Sequence, residues 1–205
     1  MISLSRGVLI VFEGIDGTGK STQVGMLSHS LKKIGYDVIT TREPTDGIYG
    51  KQIRSLYSNR LAVSREQELE LFLSDRREHV KKVIEPSLSL KRIVICDRYF
   101  LSTAAYQGAA GLDPLDIIER NSFAPMPDVA FLLEISPEES IRRITEKRGD
   151  LLNDFEQLDS LKQVDMIFRA MKLPNIRRID ASKTIEQIHQ QIRIIVTEML
   201  QQIRT

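Results

Sequence analysis

Cysteine is nearly absent: Cys96 stands alone among 205 residues, which excludes an internal disulfide framework. An excess of charge is absent too. Lysine and arginine number 29 against 28 aspartates and glutamates, a net charge of +1. Bulk composition therefore gives no reason to expect a nucleic-acid surface, and any basic site must be local. No stretch approaches the roughly 18 apolar residues of a membrane span, and no N-terminal apolar run carries the flanks of a signal peptide. There is no internal repeat and no low-complexity linker. These absences make a soluble cytoplasmic protein the expectation, with no nucleic-acid and no membrane partner. What is present is 41% hydrophobic and 28% charged, ordinary globular material in a length that suits one domain over residues 1–205 with a small mobile insertion.

Apolar and amphipathic segments alternate along the chain. Residues 8–12 (VLIVF), 92–96 (RIVIC) and 129–135 (VAFLLEI) are short continuous apolar runs, the pattern of strands buried on both faces. Residues 37–41 (DVITT) predict another strand and residues 176–179 a fifth. Helical periodicity covers about residues 20–34, closed by Gly35, and about 69–88, with Pro86 near the end. It returns over about 137–147 and 155–171, and a last helix carries Ile185, Ile188, Ile192, Ile195 and Met199 on one stripe. Strands alternating with helices predict an α/β fold whose parallel sheet is covered on both sides.

The turn after the first strand is the most specific feature. Gly14-Ile15-Asp16-Gly17-Thr18-Gly19-Lys20-Ser21 fits G-x-x-x-x-G-K-[ST] between a buried strand and a helix, with Thr22 next. Glycines let successive backbone N–H groups point into one concavity, and the helix N-terminus adds positive potential. Lys20 reaches β- and γ-phosphates, and Ser21 ligates Mg2+. The loop predicts a nucleoside triphosphate and magnesium, and leaves open whether the phosphoryl group goes to water or to a second substrate. Asp16 is the odd member, a carboxylate inside a loop built for polyanions.

Two further residues break their local pattern. Asp97 ends the apolar run RIVIC, where the C-terminal end of a strand faces the ligand crevice of α/β proteins. It is a candidate for orienting magnesium or its waters, with Arg98 clamping a phosphoryl group, the alternative being a surface pair that caps the next helix. Cys96 beside it reads as a small buried residue. Arg76 falls on the core-facing stripe of Leu69, Phe72, Leu73, Val80 and Val83. A buried arginine needs a partner or a polar pocket. One possibility is that Phe72 stacks a base whose edge Arg76 binds. The other is that Arg76 pairs with a core carboxylate such as Asp75 or Glu43.

In order and spacing, "FEGIDGTGKSTQ", "REP" at 42–44, "ELFLSDRREHV", "CDRYFLSTAAYQG" and "PDVAFLLEISPEESIRR" resemble the thymidylate kinases, over about residues 8–181. The resemblance implies a P-loop three-layer α/β/α sandwich on a five-stranded parallel sheet, transfer of the γ-phosphoryl group of ATP to dTMP, and a homodimer. It implies that Phe72 stacks on thymine, that Arg76 binds the base edge, that Thr103 and Gln107 contact the base, and that Pro44 lines its pocket. Tyr106 matches the ring beneath the deoxyribose and Asp16 the carboxylate near its 3′-hydroxyl. Arg42, Arg54 and Arg98 match arginines around the acceptor phosphate. Glu43 and Asp97 match acidic residues near the phosphates and magnesium waters. The rival readings are a related nucleoside-monophosphate or deoxynucleoside kinase, and a nucleotide-binding switch module.

Such kinases carry a catalytic arginine either in the phosphate loop, where this chain has Gly17, or in a lid. The resemblance thus points to a lid over about residues 142–156, with Arg142, Arg143, Lys147 and Arg148 as its cations and Arg143 or Arg148 as the catalytic one. Three departures stand out. Asn153-Asp154-Phe155-Glu156 lacks the arginine usual in D-R-F-E. "AYQGAAGLD" lacks another and looks one residue short. "REPTDGIYG" replaces a glycine-rich "REPGGT".

Overall fold

A computed structural model describes residues 2–57, 62–148 and 155–204, with 147 and 148 described by their backbone alone. Five strands form one parallel sheet in the order β2-β3-β1-β4-β5: β1 (Val8–Glu13), β2 (Val38–Arg42), β3 (Ile93–Asp97), β4 (Val129–Glu134) and β5 (Ile176–Asp180). All six residues of β1 are buried. Successive side chains point to opposite faces, so both faces of the sheet are covered there. Along the edge strand β2 only Val38 is buried; Ile39 and Thr41 are partly exposed and Thr40 and Arg42 fully so.

The helices are α1 (Lys20–Lys33), α2 (Ile48–Ser55), α3 (Arg65–His79), α4 (Glu85–Ser89), α5 (Phe100–Ala109), α6 (Pro114–Arg120), α7 (Pro137–Arg148), α8 (Leu158–Ala170) and α9 (Ile185–Gln201). The segment read as one helix over about 69–88 begins earlier, because Ser64 and Gln67 form a reciprocal capping box. It also contains a π turn at Val80–Ile84. The extra residue in that turn rotates the stripe, so Ile84 is buried where Val83 was expected, and Val83 is only partly so. In α9 the buried stripe is Ile188, Ile192, Val196 and Leu200; Ile185, expected on it, is half exposed and Ile195 and Met199 lie at its margin.

Register gathers the functional segments at one edge. Phe12 and Arg42 both pair with Asp97 across the sheet. The chain leaves all three strands here, at the carboxyl ends where open α/β sheets bind ligands.

Candidate active site

α1 starts at Lys20 directly after Gly19, with no side chain capping its first turn and no acidic residue in it. Its first N–H groups are thus left for an anion. Lys20 is buried, and its Nζ donates to the carbonyls of Gly14 (3.0 Å) and Ile15 (2.7 Å). Burial, with Arg98 adding repulsion against nearby carboxylates, lowers its pKa to about 8. Ser21 Oγ donates to Asp97 Oδ2 at 2.5 Å. A cavity of about 460 Å³ opens here, walled by Gly17, Gly19, Lys20, Ser21, Thr22, Asp97, Arg98, Arg42, Arg54 and Arg143 among others. The local basic site that the net charge concealed is this cluster of one lysine and four arginines.

Asp16 is where the loop meets a second compartment. Its carboxylate accepts from Arg98 Nη2 at 2.6 Å and from the Tyr106 hydroxyl at 3.0 Å. Burial alone would raise its pKa, but Arg98 and then Lys20 bring it down to about 2. Arg98 itself adopts a left-handed backbone (φ 68°), with its guanidinium over the Tyr106 ring at 5.2 Å. What holds that strained turn is Glu13, which the sequence reading passed over. Glu13 is fully buried at the end of β1 and accepts from Tyr99 N (3.0 Å) and from the Ser102 hydroxyl, while Ser102 Oγ accepts from Arg98 Nη1 at 3.1 Å. Burial raises its pKa to about 7 despite Ser102 and Arg98. A carboxylate closing an apolar strand was the signal that singled out Asp97, and VLIVFE carries it equally.

The second compartment is a cavity of about 190 Å³ walled by Phe72, Arg76, Pro44, Thr103, Tyr106, Tyr57, Tyr99, Ser102 and Phe155. Asp16, Glu43, Pro44, Tyr57, Arg98 and Glu156 line both cavities. The two alternatives for Arg76 turn out to hold together. It is 1% exposed and pairs with Glu43 through Nε (2.9 Å) and Nη2 (2.5 Å), yet it also lines the cavity. Nη1 donates to Asn121 Oδ1 at 2.6 Å and Nη2 to Thr103 Oγ1 at 2.9 Å. Four of the five guanidinium N–H groups are thereby engaged, leaving one for a ligand. Glu43 turns its other oxygen to His79 Nδ1 at 2.8 Å. Glu43 therefore holds Arg76, and it also lines the phosphate cavity beside Ser21 and Asp97, near which its role towards magnesium waters was expected. Asp75, the other carboxylate considered for Arg76, instead accepts from Thr45 N and Oγ1 at 2.8 and 2.6 Å. Gln107 is fully buried one turn beyond Thr103 and is not in the cavity wall.

Gly17 has a positive reason for being glycine. Its φ is +76°, and a Cβ there would lie 2.7 Å from the carbonyl oxygen of Ser140 on α7. Ser140 Oγ also donates to the Asp16 carbonyl at 2.5 Å, so α7 docks directly on the loop and excludes any side chain at this position. Arg143, one turn further, lines the phosphate cavity and donates to Glu139 (2.7 Å) and the Ala181 carbonyl (3.0 Å). Arg142 is exposed and pairs with Glu139 and Glu146. The side chain of Arg148, and Asn153 and Asp154 of the irregular lid motif, lie outside the described residues.

A hard divalent cation fits the oxygens present. Among the described residues no three His, Cys, Asp or Glu side chains converge into a metal cage. Ser21 Oγ and Asp97 Oδ2 nevertheless meet beside the loop, the sparse oxygen set of a cation that keeps waters and shares substrate phosphates.

Comparison with known proteins gives a consistent result. A family model described as thymidylate kinase matches residues 12–192. A protein named thymidylate kinase from Desulfotalea psychrophila is 52% identical over 199 residues, covering 97% of this chain and 98% of its own. One named probable thymidylate kinase from Pyrococcus horikoshii is 43% identical, covering 95% of this chain and 98% of its own. A third, named thymidylate kinase, from Xanthomonas euvesicatoria, is 45% identical and covers 95% and 85% respectively.

Proposed function

The chain belongs to the thymidylate kinase family, and we propose that it phosphorylates dTMP to dTDP by in-line transfer of the γ-phosphoryl group of ATP, with Mg2+ as its metal. The observation that carries this mechanism is the pair of cavities sharing Asp16, Arg98, Glu43 and Pro44: one basic and open, the other small and flanked by rings. Donor phosphates lie along the loop from Gly14 to Thr22, against Lys20. The acceptor phosphate lies against Arg42, Arg54 and Arg98, so donor and acceptor oxygens meet over Arg98. Thymine enters the smaller cavity between Phe72 and Pro44, with Arg76 and Thr103 at its edge. Tyr106 lies under the sugar, and Asp16 accepts a hydrogen bond from its 3′-hydroxyl.

Transfer then depends on positioning and charge rather than on a strong general base. Arg98 is fixed by Asp16, Gly14 O and Ser102 before the phosphates arrive. That preorganisation lets it neutralise charge on the transferring group without rearranging. Ser21 and Asp97 would hold Mg2+, which when bound neutralises charge shared by the donor phosphates. Arg143 of the lid is the proposed arginine that completes the charge balance and excludes water, with Arg148 as the other candidate.

ADP release in the presence of each acceptor tests the reading. dTMP is expected to be preferred over dUMP and strongly over UMP, CMP and AMP; UMP turning over as fast as dTMP would defeat the thymine pocket. The phosphate-facing Arg42 and Arg54 weigh against a bare nucleoside as acceptor. On family grounds we also propose a homodimer and a cytoplasmic location. A monomer in sedimentation at micromolar concentration, or recovery outside the cytoplasm on cell fractionation, would overturn these.

A further inference from the structure

The segment that departs from the family's glycine-rich pattern puts an acidic side chain beside two of the arginines assigned to the acceptor. Oδ1 of Asp46 accepts from Arg42 Nη2 at 2.9 Å and from Arg54 Nη2 at 3.3 Å. Two guanidinium groups drawn to one oxygen would repel each other, though screened by solvent, without the charge between them. Arg42 and Arg54 both line the phosphate cavity, whereas Asp46 does not; it lines the neighbouring cavity of about 600 Å³. The carboxylate therefore meets the arginines from outside the wall of the phosphate cavity, in that neighbouring cavity, which Arg42, Ser21 and Asp97 also line.

We propose that Asp46 is a positioning residue for the acceptor phosphate, gathering Arg42 and Arg54 so that both guanidinium groups face the phosphate cavity before the acceptor arrives.

The surrounding loop is built to hold such a residue still. Thr45 is tied to Asp75 by its N–H and its hydroxyl, and its Oγ1 accepts from Gly47 N at 3.1 Å. α2 abuts the same loop so closely that a Cβ at Gly50 would lie 1.9 Å from the Thr45 carbonyl oxygen, which bars any larger residue. Arg54 adds donors of its own to the carbonyls of Pro44 (3.1 Å) and Thr45 (2.7 Å). Among the described residues Arg42 pairs with no acidic side chain but Asp46, so its placement rests on Asp46 most. Arg42, and to a lesser degree Arg54, keep the Asp46 carboxyl below the usual range, so it stays charged through the neutral pH at which the arginines must be paired. Each guanidinium keeps N–H groups to spare for a phosphate.

This inference rests on the reading of Arg42 and Arg54 as acceptor-phosphate arginines, and the test separates the two. Steady-state kinetics on Asp46→Asn should show KM for dTMP raised about five- to twentyfold, with KM for ATP and kcat within about twofold of the parent. Inorganic phosphate, used as a competitive probe against dTMP, should weaken by a similar factor. Asp46→Glu, which keeps the charge, should recover most of the loss. The side chain is exposed, so the variants are expected to keep the parent's thermal midpoint. An unchanged or lowered KM for dTMP in Asp46→Asn, or equal effects on both substrates, overturns the inference. Arg42→Ala and Arg54→Ala are the controls. If they raise KM for dTMP and Asp46→Asn does not, Asp46 alone has been misread; if they too leave it unchanged, the acceptor-phosphate reading falls as well.

Discussion

Lys20→Ala is expected to lower kcat/KM by about three orders of magnitude or more while leaving the fold intact. Removing one preorganised charge or donor from a water-poor site commonly costs 10²–10³-fold in rate, and Lys20 is the cation at the centre of the loop, bonded to its carbonyls. Stability should move the other way. Burial and Arg98 both disfavour the lysine's charge, so taking it away removes a strained cation, and the thermal midpoint should hold or rise slightly. A variant with lost activity and a lower midpoint would mean that the lysine is structural. One retaining most of its turnover would defeat the assignment outright. The depressed pKa adds a pH signature. Below pH 8 Lys20 is already charged. As pH rises through about 8 it loses its proton, and gripping a triphosphate then requires taking one up. ATP affinity should fall above pH 8, with proton uptake measurable by calorimetry in buffers of different ionisation enthalpy, and both effects should vanish in Lys20→Ala.

How far the molecule could be read in advance depended on whether a feature is local. The five strands and the phosphate loop are local, and they emerged with ends shifted by a residue or so. α5 was missed because Phe100 to Gln107 are all buried; with no exposed face there is no amphipathic contrast to detect. α6 is seven residues long, too short for periodicity to register, although Asp113 before Pro114 is a cap that announces it. α2 carries a glycine inside and one at its start. The partners of the site's charged groups are distant in sequence: His79 lies 36 residues from Glu43, and Asn121 lies 45 from Arg76. No periodicity reports such pairs. The choice between Arg143 and Arg148 could not be read from the chain, because which lid cation faces the phosphates depends on how α7 docks on the loop through Ser140. Arg143 lines the cavity, and the side chain of Arg148 lies outside the described residues. The Ser140 contact also explains Gly17. The sequence suggested a missing arginine there; the fold shows that the space for one does not exist.

Arg76→Ala should be the most destabilising single change in the site, by about 3–5 kcal/mol, because it strands a buried carboxylate. Glu43 is 6% exposed, and without the arginine it keeps His79 as its one side-chain partner among the described residues. Asn121 and Thr103 each lose a donor as well. The sign of the pH dependence follows from Glu43. Burial would raise its pKa, but Arg76, then His79, hold it below 4.5. A depressed carboxylate contributes stability that is present above the unfolded-state pKa and is lost as pH falls through the folded one. Removing Arg76 removes that contribution, so the deficit in urea unfolding should be largest near pH 8 and should shrink towards pH 4, where Glu43 is protonated more readily in both proteins. A deficit independent of pH would mean that the loss is one of packing alone. Arg76→Met combined with Glu43→Gln separates stability from function. The pair removes both charges at similar volume, and replacing a buried ion pair this way is often close to neutral. The double variant should recover much of the stability of Arg76→Ala yet still bind dTMP poorly, because no guanidinium N–H remains for the base. Recovery of dTMP affinity along with stability would show that Arg76 serves the pocket only by holding it together.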